Sequence, residues 1–240
     1  MRPVAGVQRL NGRCLTLLIL AAACSDAGPP PPVSRVWPVL GTMMSAAAWG
    51  PDTARIGRAL DAAHDAADRS GPAAAVDSLR LEIRRETGIA VAADDIKEGA
   101  ALDRAALVLV GEVDSALLDI GGQFLWVGPR ATRRAVGIVD PASSMHALAT
   151  VELRAGSVST ASHTGNKGNE GSVAVTVLAP SGATADGWST ALLGLGCDRA
   201  LALAPRVASA RVSLVCADSG GSRVRWTADL EGRVQVLHRP

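Results

Sequence analysis

Residues 172–196, SVAVTVLAPSGATADGWSTALLGLG, constrain the fold more than any other stretch. Val173, Val175 and Val177 alternate in a β-branched run, which predicts a strand. The run breaks at Ala179-Pro180-Ser181-Gly182, a turn cluster, and a helical segment of small residues is expected from about Ala185 to Gly196. Asp186 then falls at or just inside the helix start, where a carboxylate accepts free backbone N–H groups and suits the positive end of the dipole. Thr190 lies four residues later on the same face. A carboxylate and a hydroxyl projecting together offer two hard oxygen ligands to Mg²⁺, which keeps the rest of its shell as water and phosphate. An N-cap Asp beside a half-buried Thr accounts for the same two residues.

The N-terminal stretch places Arg2, Arg9 and Arg13 ahead of an apolar run, Cys14–Ala23, too short to cross a bilayer. It reads as a signal peptide, and Ala21-Ala22-Ala23-Cys24 resembles a bacterial lipobox; cleavage after an Ala-x-Ala site is the alternative. Residues 1–24 are therefore expected to be a lipoprotein signal and lipobox. The mature chain is expected at the cell envelope, on the periplasmic side of a bacterial membrane, anchored through Cys24. Residues 25–35 hold Pro29-Pro30-Pro31-Pro32, a stiff tether. Residues 36–240 suffice for a single domain. A net charge of +1, with no Lys/Arg run, argues against a nucleic-acid partner. With Cys14 removed and Cys24 acylated, Cys197 and Cys216 remain as two thiols able to pair in an oxidising compartment.

The rest of the chain alternates strands and helices. Val36–Trp49 reads as an opening strand broken near Gly41, and Asp52–Arg69 as a helix with Ile56, Leu60, Ala63 and Ala67 on its inner face and His64 at the rim. Val76–Gly88 reads as an amphipathic helix with solvated charges, and Asp94–Val110 as a loop entering a helix. By residue type alone Glu98 and Asp103 are solvated helix charges. Leu117-Leu118-Asp119-Ile120 is a buried-strand pattern that bends at Gly121-Gly122. Further strands are expected at Ala135–Pro141 and from Val158, then a short helix at Arg199–Ala210 and strands at Arg211–Cys216, Arg223–Trp226 and Val234–Leu237.

Five of these stretches, in order, resemble the ApbE-type FAD:protein FMN transferases. Leu40-Gly41-Thr42 is similar to the M-G-T that packs against the flavin, and Asp94–Val110 to the D-L-G-G-x-x-[KE]-G-x-x-x-D element. LLDIGGQ (117–123) is similar to the N-x-L-[VL]-[ND]-[LI]-G-G-[DQ] strand and turn, AVGIVDP (135–141) to W-x-V-G-I-x-D-P, and ATADGWSTALLGLG to A-D-A-x-x-T-A-L-x-x-x-G. The resemblance implies an α+β fold: a single domain with a mostly antiparallel sheet flanked by helices. It implies that Leu40 and Glu98 contact the flavin nucleotide, and that Asp186, Thr190 and the Asp95 carbonyl hold Mg²⁺. His163 would be the remnant of a histidine near the reacting phosphates.

The chain also departs from the pattern. The family's F-D-P-T-x-G-P-L segment, which contacts the flavin, is absent between Gly71 and Ala93, and the tyrosine-containing hairpin with H-[IL]-[IL]-D-P-R-T-G is absent after Val158. Two glycines are replaced by Asp94 and Asp95, which predicts a distorted loop. With no Tyr and one Phe, few rings are present to stack on a flavin. The implied activity is Mg²⁺-dependent transfer of FMN from FAD to a Thr or Ser of a target protein with release of AMP. The alternatives are a catalytically degenerate flavin- or metal-binding envelope lipoprotein and a purely structural envelope protein.

Overall fold

The computed structural model describes residues 31–69, 73–128, 133–140, 143–162, 172–207, 211–218 and 223–237. The expected signal segment with Cys24, most of the tether, and His163 lie outside the described residues. Where one broken strand is expected, the chain makes a hairpin of β1 (Val33–Val39) and β2 (Thr42–Trp49). Val39 pairs with Thr42, so Leu40 and Gly41 form a two-residue turn, both at positive φ (51° and 82°). The twist of such a turn matches its strands, but it holds the Leu40 backbone in a region costing an ordinary residue about 1–2 kcal/mol.

α1 (Thr53–Asp68) is capped by Asp52, which accepts the Arg55 N–H at 2.9 Å, and buries the expected Ile56, Leu60, Ala63 and Ala67. His64 is half-buried and stacks on Trp37, ring centroids 5.1 Å apart. α2 (Ala73–Thr87) takes the amphipathic segment and stops at Gly88. The distortion expected at Asp94 and Asp95 resolves into one 3₁₀ turn, Asp94–Ile96, in which the Asp95 carboxylate accepts the Ala92 N–H at 2.9 Å. An Asp side chain that bonds its own turn replaces the freedom a glycine would supply. α3 (Lys97–Leu109) follows directly.

β3 (Ser115–Ile120) and β4 (Gln123–Val127) form the expected hairpin on Gly121-Gly122, at φ 62° and 89°. β5 (Arg134–Asp140) and β6 (Ser143–Leu153), the second unassigned from sequence, leave the main sheet; β7 (Gly156–Ser162) returns to pair with β4. β8 (Ser172–Ala179) leads into α4 (Gly182–Leu193), then α5 (Cys197–Leu203), β9 (Ser213–Asp218), β10 (Val224–Trp226) and β11 (Val234–Val236).

Eight strands pair antiparallel in the order β1-β2-β3-β4-β7-β8-β9-β10, and β11-β6-β5 make a second sheet. The large sheet separates two apolar layers. On one face Val175 and Val177 meet Trp188 and Leu192 of α4, while Met44, Leu118 and Ile120 meet Leu60, Leu102 and Leu109 of α1 and α3. On the other, Trp126, Val158 and Leu178 meet Val136, Ile138 and Val151 of the small sheet. β4 shows the alternation directly, since Leu125 faces the helices and Trp126 the small sheet. The architecture is thus α+β in one domain, with a largely antiparallel sheet flanked by helices. Cys197 and Cys216 are disulfide-bonded, Cα atoms 5.8 Å apart, tying α5 to β9. Closing a loop of this length restricts the unfolded chain by about 3 kcal/mol.

Candidate functional site

α3 and α4 meet backbone to backbone. A Cβ on Gly99 would lie 2.3 Å from the Gly182 carbonyl oxygen, and one on Gly182 would lie 2.3 Å from the Gly99 oxygen, so neither position admits a side chain. Two aspartates clasp this crossing reciprocally. Asp103 of α3 accepts the N–H groups of Gly182 (2.5 Å) and Ala183 (2.9 Å), two of the open donors at the start of α4. Asp186 of α4 accepts the N–H of Gly99, in the first turn of α3, at 3.0 Å.

This arrangement corrects two expectations. α4 starts at Gly182 rather than near Ala185, and Ser181 is its cap, taking the Thr184 N–H at 3.2 Å. Asp186 therefore sits in the second turn and serves another helix, because Ser181 and Asp103 already occupy the free donors of its own. Asp103 is not a solvated charge: burial pushes its carboxyl up, and the N–H bonds from Ala183 and Gly182 hold that rise back.

Beside the crossing lies a cleft of about 280 Å³, whose polar wall is Thr42, Glu98, Gln123, Ser159, Thr160 and Asp186. Ser159 is buried and donates to Asp186 Oδ1 at 3.3 Å; the single proton of Ser189 can go to the Asp186 carbonyl at 2.9 Å or to Ser159 Oγ at 3.2 Å. Gln123 is buried and fastens β4 to α4 by donating from Nε2 to the Gly182 carbonyl at 2.8 Å. Burial pushes the Asp186 carboxyl up to about 7, and the charges of Glu98 and Asp95 add to the rise against the bonds from Gly99 and Ser159.

The donor set of this cleft fits a hard cation. Among the described residues no Lys or Arg lines it, and the carboxylate of Asp186 faces only like charge. Among those residues, too, no three His, Cys, Asp or Glu side chains converge closely enough to hold a metal by themselves. An ion there would draw on one carboxylate together with hydroxyl, carbonyl, water and ligand oxygens, the habit of Mg²⁺.

The structure brings Asp186 and Glu98 together in this cleft. Asp95 is exposed and its carboxylate is engaged at Ala92, which leaves its carbonyl as the donor the resemblance assigns. Thr190 is half-buried one turn beyond Asp186 and is not part of the cleft lining. Leu40 lines a separate groove of about 710 Å³ with Val76, Leu79, Arg69, Lys97 and Arg104. Leu40 and Glu98 therefore do not share a cavity. Sequence reasoning reached Thr42 only as part of the Leu40-Gly41-Thr42 motif and passed over Gln123, which closes the 117–123 stretch, and Ser159, in the strand expected from Val158; their only signal is adjacency to those glycines and strands.

The ApbE family profile matches residues 34–167. No curated protein matches. Among solved structures, the flavin transferase ApbE from Vibrio cholerae is similar with a TM-score of 0.63 at 13% identity, over 85% of this chain and 100% of that one. The Pseudomonas stutzeri flavinyl transferase ApbE, in its apo form, gives 0.61 at 15% identity, over 87% and 98%. The ApbE protein of Thermotoga maritima gives 0.61 at 15%, over 84% and 99%. At such identities the structures speak to fold, and the profile, spanning more than half of the chain from the opening hairpin past β7, speaks to kinship: this chain belongs to the ApbE family.

Proposed function

We propose that this chain is an FAD:protein FMN transferase that uses a divalent cation, Mg²⁺ by its donor chemistry, in the Asp186 cleft. The observation that carries the reading is the cleft itself, where Glu98, Asp186 and the charge of Asp95 gather without a lining cation of the chain's own. Membership of a family whose solved relatives include flavin transferases supports it.

In the reaction, a Thr or Ser hydroxyl oxygen of the target protein attacks the FMN-side phosphorus of FAD. The pyrophosphate P–O bond breaks, AMP leaves with the bridging oxygen, and the hydroxyl proton passes to a base. Asp186 would hold the cation; Thr190, one turn further along α4, and the Asp95 carbonyl are assigned to it by the resemblance but do not line the cleft; and Glu98 would contact the nucleotide. When bound, the cation offsets charge developing on the pyrophosphate. The groove carrying Leu40, Val76 and Leu79 offers an apolar bed for the flavin ring, and its charges are mixed, with Arg69, Lys97 and Arg104 set among Asp68, Asp77, Glu82 and Asp103. His163 is the proposed proton acceptor.

A second reading has its own observation. Only Gly88–Ala93 connects the end of α2 to the 3₁₀ turn at Asp94, where the family pattern carries the flavin-contacting F-D-P-T segment. A chain so shortened would bind flavin or metal without transfer. Incubating the purified chain with FAD, Mg²⁺ and a flavinylation-motif peptide separates the two. A peptide mass gain of one FMN with stoichiometric AMP, lost in EDTA, is expected; bound FAD with no gain would leave the degenerate reading. The lipid anchor at Cys24 is proposed on the same footing: Cys24→Ser should move the chain from membrane to soluble fraction, and unchanged partition would refute it.

A further inference from the structure

Gln123 is buried to 5% exposure in the wall of the acidic cleft, and the hydrogen bonds around it fix which way its amide points. Nε2 donates to the Gly182 carbonyl at 2.8 Å and to Ser157 Oγ at 3.2 Å. Ser157 has a single proton, given to the Phe124 carbonyl at 2.7 Å, so it can only accept from Gln123. Both neighbours being acceptors, the flipped amide is excluded, and Oε1 is left as a buried acceptor with no protein partner. An unanswered buried carbonyl costs about 1–3 kcal/mol, so its retention beside a cleft points to a donor supplied from outside the chain.

The other groups of the wall say what kind of donor. Glu98 and Asp186 are acceptors when ionised, and among the described residues no Lys or Arg lines the space. At about 280 Å³ the cleft has room for roughly nine waters at ~30 Å³ each, enough for a hydrated ion. A divalent cation such as Mg²⁺ retains several of its waters, and these are strong, polarised O–H donors. We propose that Gln123 is a positioning residue for the cation, its Oε1 accepting a hydrogen bond from a water ligand of the ion while Nε2 ties that acceptor to the α3–α4 crossing. The inference rests on the cation reading of the Asp186 cleft.

The test uses the full chain and Mn²⁺ alone as probe, with free Mn²⁺ followed by its EPR signal in the absence of FAD. Gln123→Met and Gln123→Glu both lose the donor to Gly182, but only Gln123→Glu keeps an acceptor where Oε1 lies. Gln123→Met should bind Mn²⁺ about 10-fold more weakly, the scale of losing an outer hydrogen bond to a metal's ligands, and Gln123→Glu should bind at least as tightly as wild type. Equal affinity of Gln123→Met and wild type, equal weakening of both variants, or no Mn²⁺ binding by wild type would each overturn the proposal. If Gln123→Met does not fold, Gln123→Glu still decides, since a 10-fold loss there contradicts the role. FAD binding, measured separately by flavin fluorescence, tests the transferase reading: its loss with Mn²⁺ binding intact would refute transfer and leave the Gln123 result standing.

Discussion

Asp103 and Asp186 sit on the same helix crossing, each reaching from its own helix to the backbone of the other, and they are used in opposite ways. Asp103 meets two N–H groups at 2.5 and 2.9 Å, so its charge answers the open end of α4. Asp186 meets one N–H and one distant hydroxyl, and it faces Glu98 and the charge of Asp95 across a cleft. Burial raises both carboxyls, and it pushes Asp186 up to about 7. A carboxylate well supplied with donors helps hold a fold together, whereas one left short of them at a cavity weakens the empty protein and is a candidate ligand site.

That contrast can be broken from several sides. The largest effect is expected at the crossing both aspartates serve. Gly99→Ala would drive a methyl into the Gly182 carbonyl, and a loss of about 3 kcal/mol or more in urea unfolding is expected. A neutral result would mean the helices can part without cost. Asp103→Ala, which removes the cap from two donors of α4, should lower stability by about 2 kcal/mol.

Asp186→Asn should do the reverse above neutral pH. The unfolded Asp ionises near 3.9 and the folded one near 7. Below the first value the group carries no penalty, stability falls as pH rises between the two, and above about 7 the full cost is present. At pH 8 without metal, Asp186→Asn is therefore expected to gain on the order of 2 kcal/mol over wild type, and the gain should vanish at pH 4. A pH-independent difference would show that burial does not penalise the Asp186 carboxylate. The smallest effect is expected from Glu98→Gln, which removes one like charge and should shift the wild-type pH transition to lower values in the same thermal scans.

How far the sequence discloses this arrangement depends on the range of the interaction. α1 was legible to within a residue at each end because the Ile56–Leu60–Ala63–Ala67 stripe acts within one helix; the capping role of Asp52 emerges from the structure. The β3–β4 hairpin was legible because Gly121-Gly122 is local turn chemistry. The start of α4 was read late, since Gly182 and Ala183 look like turn residues until Asp103, far away in the chain, is seen to hold their N–H groups. Asp186 stands out in the sequence as a candidate through a family pattern, but its bond to Gly99 and its company of Ser159 and Gln123 join α3, β4, β7 and α4. No periodicity reports a contact of that kind.

The central claim is that Asp186 is kept for transfer at the expense of the empty fold. Its most direct test is FMN transfer to a flavinylation-motif peptide by wild type and Asp186→Asn at pH 8 with Mg²⁺, read as AMP release and peptide mass. The account predicts that the variant, though the more stable protein without metal, loses at least about 100-fold in rate. Transfer by Asp186→Asn at the wild-type rate would contradict it.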